Sequence, residues 1–167
     1  SDIKEFQREN IIRKGSHLMD GLVPSRRKVL FTARKIFNGN NDMKVSSFAG
    51  KTIEMAGYNH GEASLHNTII MMAQAFPGAR NLPLLRPRGQ FGSRDIGGTK
   101  SAASPRYIST NINKKLVDAL FPPDDDFIIP YVFEEDKRVE PKFYIPIVPL
   151  CLLENIKIPM TGWKCEI

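Results

Sequence analysis

The chain has 167 residues, 41% hydrophobic and 25% charged, which fits one good-sized soluble domain, or one domain with part of a second, able to bury a real core. No apolar run approaches the ~20 residues that span a bilayer, and no signal-peptide pattern precedes the first element. Cys151 and Cys165 are too few for a disulfide framework and lack metal-ligand spacing, so a reducing compartment is expected. The net charge of +6 is unevenly spread. Residues 24–107 carry 13 basic and 4 acidic side chains, whereas residues 118–140 carry 2 basic and 8 acidic ones. A basic block followed by an acidic one points to a polyanion-binding surface in the first two-thirds, although a basic surface can also serve solubility alone. The start without Met and the end just after Gly162-Trp163 read as a piece of a longer polypeptide.

Residues 1–23 read as a lead-in segment. Residues 26–37 fit an amphipathic helix, with Val29, Leu30, Ala33, Ile36 and Phe37 on one arc and Arg27, Lys28, Arg34 and Lys35 opposite. Pro24-Ser25 starts it and Asn38-Gly39-Asn40-Asn41 stops it. A second helix fits 44–56, and the pair suggests a helix-turn-helix with a basic outer face. A third helix is expected over 62–76, buried in its apolar second half and ended by Pro77-Gly78. Residues 77–105 form a long Pro/Gly-rich connection with five cations (Arg80, Arg86, Arg88, Arg94, Lys100), the pattern of a wing laid on a phosphate backbone. Ile112, Leu116, Val117 and Leu120 mark another helix, and residues 127–133 and 139–148 read as strands around the turn 134–138. The fold class is α+β: a winged-helix domain over 24–121, then a second unit beginning at 122.

That loop delivers Ser104-Pro105-Arg106-Tyr107-Ile108 after the glycine-rich stretch 89–100. A phenol, with a reference pKa of about 10, is a poor nucleophile until its ionised form is favoured. A neighbouring guanidinium favours it and also grips phosphate with a rigid fork of donors. Tyr107 beside Arg106 therefore reads as a tyrosine built to attack a phosphodiester. Taken alone, an Arg-Tyr pair is more often an ordinary core or interface tyrosine with an arginine nearby.

Five motifs keep the order and spacing of a known family: Asp20-Gly21-Leu22-Val23-Pro24 with Arg26-Arg27-Lys28-Val29-Leu30; Tyr58-Asn59-His60-Gly61-Glu62-Ala63-Ser64-Leu65; Gly89-Gln90-Phe91-Gly92; Ser104-Pro105-Arg106-Tyr107-Ile108; and Tyr144-Ile145-Pro146-Ile147-Val148-Pro149 followed by Thr161-Gly162-Trp163. With them the chain resembles the breakage-reunion core of type IIA DNA topoisomerases, closest to the eukaryotic topoisomerase II branch, and the wording between motifs is similar to large-DNA-virus members.

The resemblance implies a winged-helix domain carrying the nucleophile Tyr107, then the start of a tower domain over 122–167. It implies that Tyr107 forms a 5′-phosphotyrosyl link, that Arg106 stabilises charge on the phosphate, and that Arg27 and His60 lie by the scissile phosphate. A lone histidine such as His60 is otherwise more often a helix cap or a core imidazole. DNA contacts are expected from Arg26, Lys28, Arg34, Lys35, Lys51, Arg94 and Lys100. An apolar wedge between base pairs falls on Pro159, helped by Met160, where relatives carry isoleucine. Ala63 and Asn67 replace the serine and acid by which bacterial relatives hold fluoroquinolones, so that bridge should be weak. The implied partners are double-stranded DNA, a second copy of the chain, and metal-binding TOPRIM and ATPase domains, with no membrane. Mg²⁺ and ATP belong to those other domains, and no metal site is expected here: Asp124-Asp125-Asp126 reads as a solvated charge run. The fragment alone should bind DNA and cleave it poorly. The implied compartment is the nucleus for a cellular member and host cytoplasm for a viral one. The competing readings are a non-catalytic winged-helix DNA binder and a tyrosine recombinase or type IB-like nicking enzyme.

Overall fold

The computed structural model describes residues 2–79, 81–153, 157–160 and 163–166, with the side chains of 9–14, 151 and 157–166 outside that description. Among the described residues, five α-helices (α1 Asp2–Lys14, α2 Pro24–Ile36, α3 Val45–Ala56, α4 Glu62–Ala73, α5 Lys114–Leu120) combine with seven strands. The strands are β1 (Met43–Lys44), β2 (Leu85–Arg88), β3 (Ser109–Ile112), β4 (Tyr131–Glu134), β5 (Lys137–Pro141), β6 (Lys157–Met160) and β7 (Trp163–Glu166). The mixture is α+β, as expected. None of the described helices is long and apolar enough to cross a membrane.

The first three strands form one antiparallel sheet in the order β1-β3-β2. Pro87 on edge strand β2 faces Thr110 and has no N–H to give, but the Thr110 hydroxyl donates to the Arg86 carbonyl at 2.9 Å. β1 separates α2 from α3, so those two helices are not the expected helix-turn-helix. The tightly joined pair is α3 and α4, linked by 57–61 through Gly57 in the left-handed conformation (φ 63). A side chain on Gly57 would also collide with the Glu134 carboxylate.

Several elements differ from their sequence expectation for identifiable reasons. The lead-in contains α1, a polar helix whose periodicity carries no apolar stripe. α4 stops at Ala73, not 76, because the Asn81 amide donates to the Met71 carbonyl at 2.8 Å and the Gln74 carbonyl at 3.0 Å, capping its end ahead of Pro77. Ile112 ends β3 opposite Leu85 instead of starting a helix. The second hairpin is shorter and shifted, since residues 123–127 wind into a 3-10 turn. Glu135 and Asp136, both at positive φ, form the two-residue turn that matches strand twist.

One hydrophobic core runs through the described chain. Phe48, Leu65 and Ile69 of the helices share it with Ile129, Tyr144 and Leu150, so the expected boundary at 121/122 is not a break in packing. The tie is partly ionic. Asp20, fully buried, accepts from Arg27 Nε (2.7 Å) and Nη2 (3.0 Å), from the Leu22 amide (3.0 Å) and from the Tyr144 amide (2.9 Å). Arg27 Nη2 adds the Leu22 carbonyl at 2.7 Å. Lys28 Nζ reaches the Ala56 carbonyl, Glu134 (3.1 Å) and Glu140 (3.0 Å), while Arg34 pairs with Asp126 at 2.9 Å and lies over the Tyr144 ring.

Replacing Arg27 by methionine leaves Asp20 buried without its counter-charge. The expected cost is about 3–5 kcal/mol in denaturant unfolding. A loss below about 1 kcal/mol would show that the pair does not hold the fold.

Candidate nucleic-acid interface

The connection between β2 and β3, residues 89–108, is long but pinned. Gln74, buried at the end of α4, donates from Nε2 to the Phe91 carbonyl (2.9 Å) and the Gly98 carbonyl (2.7 Å). Gly92 sits at φ +120 directly against that amide: an added Cβ would lie 2.9 Å from Gln74 Nε2 and 3.1 Å from the Gly98 oxygen. The Ser93 amide donates to Ser101 Oγ at 2.9 Å, and the Ala103 amide to the Gln90 carbonyl at 2.9 Å. Phe91 is buried, whereas Arg94 and Lys100 stand exposed on the loop. Sequence patterning passes over Gln74, although a lone polar residue in the apolar run 69–76 is the signal that could have found it.

The loop ends in a tight turn docked on the start of α3. The Tyr107 amide donates to the Ser104 carbonyl at 2.9 Å. The Val45 amide then donates to Ile108 (3.0 Å) and the Ser46 amide to Pro105 (3.1 Å), both to backbone carbonyls. These are the first amides of a helix, which lack partners of their own within it. Lys44 Nζ donates to the Arg106 carbonyl at 2.9 Å. The backbone of the turn is thus fixed while its two key side chains, Arg106 and Tyr107, face solvent.

Among the four tyrosines only Tyr107 is presented outward, 74% exposed. Tyr58 and Tyr144 are buried. Tyr131 donates its hydroxyl to the Asp126 carbonyl at 2.8 Å. Burial pushes the phenol of Tyr144 well above its ordinary range, and the Tyr131 phenol is raised by burial and then by Asp126. An aromatic ring left in water on an ordered turn contributes little to folding. It is available for chemistry or contact, with a guanidinium next to it in sequence.

The other expected site residues divide. His60 lies exposed on the linker between α3 and α4, its ring edge-on to Tyr58 at 5.5 Å, so it is neither core nor cap. Lys51 is exposed and pairs with Glu54 at 3.1 Å. Lys35 is exposed with its ammonium 4.4 Å from the centre of the Phe31 ring. Arg26 is half-buried in the first turn of α2. Arg27, Lys28 and Arg34 are corrections: they face inward and are occupied by Asp20, by Glu134 and Glu140, and by Asp126. Helical periodicity places them opposite the apolar arc, but Asp20 takes up Arg27 and the acidic 118–140 segment folds back over Lys28 and Arg34. Ala63 and Asn67 are exposed on α4. Pro159 and Met160 lie on β6 by backbone, while their side chains, and hence the wedge, fall outside the described residues. Asp126 is spent on Arg34, and among the described residues no three His, Cys, Asp or Glu side chains converge to hold a cation.

Residues 15–167 match the family model for the A subunit of DNA gyrase/topoisomerase IV. The chain is 49% identical over 150 residues to DNA topoisomerase 2-alpha of Homo sapiens, covering 90% of this chain and 10% of that protein. It is 47% identical to DNA topoisomerase 2-beta of Gallus gallus, covering 90% and 9%. Its fold superposes with a TM-score of 0.90 and 39% identity on the Plasmodium falciparum topoisomerase II DNA-binding, cleavage and re-ligation domain, covering 99% of this chain and 22% of that one. The chain therefore spans about a tenth of the length of the curated relatives it matches. With a family model matched over nearly all its length, this chain belongs to the family of DNA gyrase/topoisomerase IV A subunits.

Proposed function

We propose that this chain is the DNA-cleaving segment of an ATP-dependent type II DNA topoisomerase and that Tyr107 is its nucleophile. The observation that carries the reading is the exposed Tyr107 on a turn whose backbone is bonded to α3 and whose loop is closed by Gln74. The order α2-β1-α3-α4-β2-loop-β3, with its three-stranded antiparallel sheet, supports a winged helix in which 89–108 is the wing. Residues 122–167 are read as the beginning of the tower domain.

In this reading the Tyr107 oxygen attacks a DNA phosphorus and loses its proton. The bond to the 3′-oxygen breaks, that oxygen takes up a proton as a hydroxyl, and the phosphate remains esterified to the tyrosine at its 5′ side. One phosphoester replaces another, so resealing needs no outside energy. Arg106 stabilises the charge that grows on the phosphate oxygens. His60 is retained as a residue of the scissile-phosphate region, on the resemblance. Arg27 acts only through the fold. Each copy in a homodimer cuts one strand, and a second duplex passes through the break.

Phosphate contacts fall to the exposed cations Lys35, Lys51, Arg94 and Lys100, with Arg26 at the start of α2. Pro159 and Met160 remain the proposed base-pair wedge. Mg²⁺ and ATP belong to TOPRIM and ATPase domains outside this chain, so the segment by itself binds DNA without efficient cleavage. A large-DNA-virus member, such as one like the African swine fever virus enzyme acting in host cytoplasm, is the alternative source, resting on the wording between motifs alone. The vertebrate relatives favour a cellular enzyme, and we take the nucleus as its compartment.

Full-length enzyme incubated with supercoiled DNA and Mg²⁺, then stopped with detergent and protease, is expected to yield linear DNA blocked at its 5′ ends. Tyr107→Phe should abolish the trapped product and leave DNA affinity within about threefold, and Arg106→Ala should slow trapping by about 10²–10³-fold. Protein on 3′ ends would favour a recombinase-like enzyme, and no trapped product at all a DNA-binding module.

DNA affinity should fall by about 10³-fold or more between 50 and 200 mM salt if six or more phosphates are neutralised. Arg94→Gln should lower the salt slope by about one without altering sequence preference. Arg34→Gln should instead lower the melting temperature and leave the slope in place. A slope change for Arg34 with no loss of stability would restore it to the DNA surface.

A further inference from the structure

We propose that Lys44 is a positioning residue for Tyr107, an inference that rests on Tyr107 being the nucleophile. Tyr107 is so exposed that little packs against its ring to aim it. Its direction is set by the backbone of residues 104–108. Three bonds from residues 44–46 hold that backbone: the Val45 amide to the Ile108 carbonyl, the Ser46 amide to the Pro105 carbonyl, and the Lys44 ammonium to the Arg106 carbonyl at 2.9 Å. The first two are main-chain contacts that almost any sequence would make. The third depends on a side chain, and it grips the peptide that joins Arg106 to Tyr107.

Lys44 is itself well placed to do this. It ends β1, paired opposite Ser109 on β3, so a strand and not a loose loop delivers its ammonium. The carbonyl is an acceptor for one of three ammonium donors, and the residue is exposed, which leaves donors for a phosphate oxygen brought to the same turn. Lys44 thereby couples the position of the tyrosine backbone to the DNA strand it attacks. Geometry at this level matters for rate: a misplacement of about 1 Å can cost on the order of 100-fold.

The test is single-turnover formation of the covalent complex by full-length enzyme, followed across DNA concentrations. Lys44→Met is expected to lower the rate at saturating DNA by about 10- to 100-fold. Half-saturation should stay within about threefold and the melting temperature should not move. Lys44→Arg, which can donate to the same carbonyl, should recover most of the rate. An unchanged rate, or a loss fully repaired by more DNA as for a phosphate contact alone, would overturn the inference. So would Lys44→Arg behaving like Lys44→Met. Tyr107→Phe run in parallel separates the two levels. If it still forms the complex, the nucleophile reading fails and takes this inference with it. If it is dead while Lys44→Met is normal, only the role of Lys44 fails.

Discussion

The buried pair of Asp20 and Arg27 is the constraint on which the rest of the molecule depends. A carboxylate removed from water has to be compensated by charge and hydrogen bonds together. Asp20 receives both: a two-point contact from Arg27 and two backbone amides, Leu22 before α2 and Tyr144 more than a hundred residues later. One side chain therefore fixes the entry to α2 and draws in the segment after β5. Lys28 and Arg34 extend the arrangement along the same helix toward Glu140 and Asp126. A helix that looks basic on its outer face has three of its cations taken up inside the fold, with Lys35 left exposed.

This changes what the charge distribution means. The contrast between residues 24–107 and 118–140 is partly an internal neutralisation, in which the acidic segment supplies counter-ions for α2. Five of the cations left facing water lie at the start of α3, on α3 itself and along the 89–108 loop: Lys44, Lys51, Arg94, Lys100 and Arg106. The turn that carries Tyr107 thus has exposed cations on the loop that leads to it and on the helix start that holds it. The rigidity of that turn comes from Gln74, Gly92 and the first amides of α3, which lie far from it in sequence.

How much the sequence revealed follows from which interactions are local. The three central helices were legible because their apolar positions repeat at helical spacing, and the family because five motifs stand in register. β1 was not legible, since two residues make no pattern and exist as a strand only through pairing with β3. α1 lacks the apolar stripe that would announce it. The inward turn of Arg27, Lys28 and Arg34 was hidden because periodicity tells which face a residue occupies, not what later covers that face. Gln74 and Lys44 escaped for a related reason: each acts on a backbone carbonyl, which no residue pattern advertises.

The central claim, that Tyr107 is the group that attacks DNA, is tested most directly by mass spectrometry of the trapped full-length complex after nuclease and trypsin digestion. Cleavage at Arg106 and at Lys114 releases residues 107–114 as a single peptide containing one tyrosine. The account predicts that this peptide carries the added mass of a nucleotide, with the phosphate bonded to the phenolic oxygen. Nucleotide found on any other peptide, with 107–114 recovered unmodified, would contradict it.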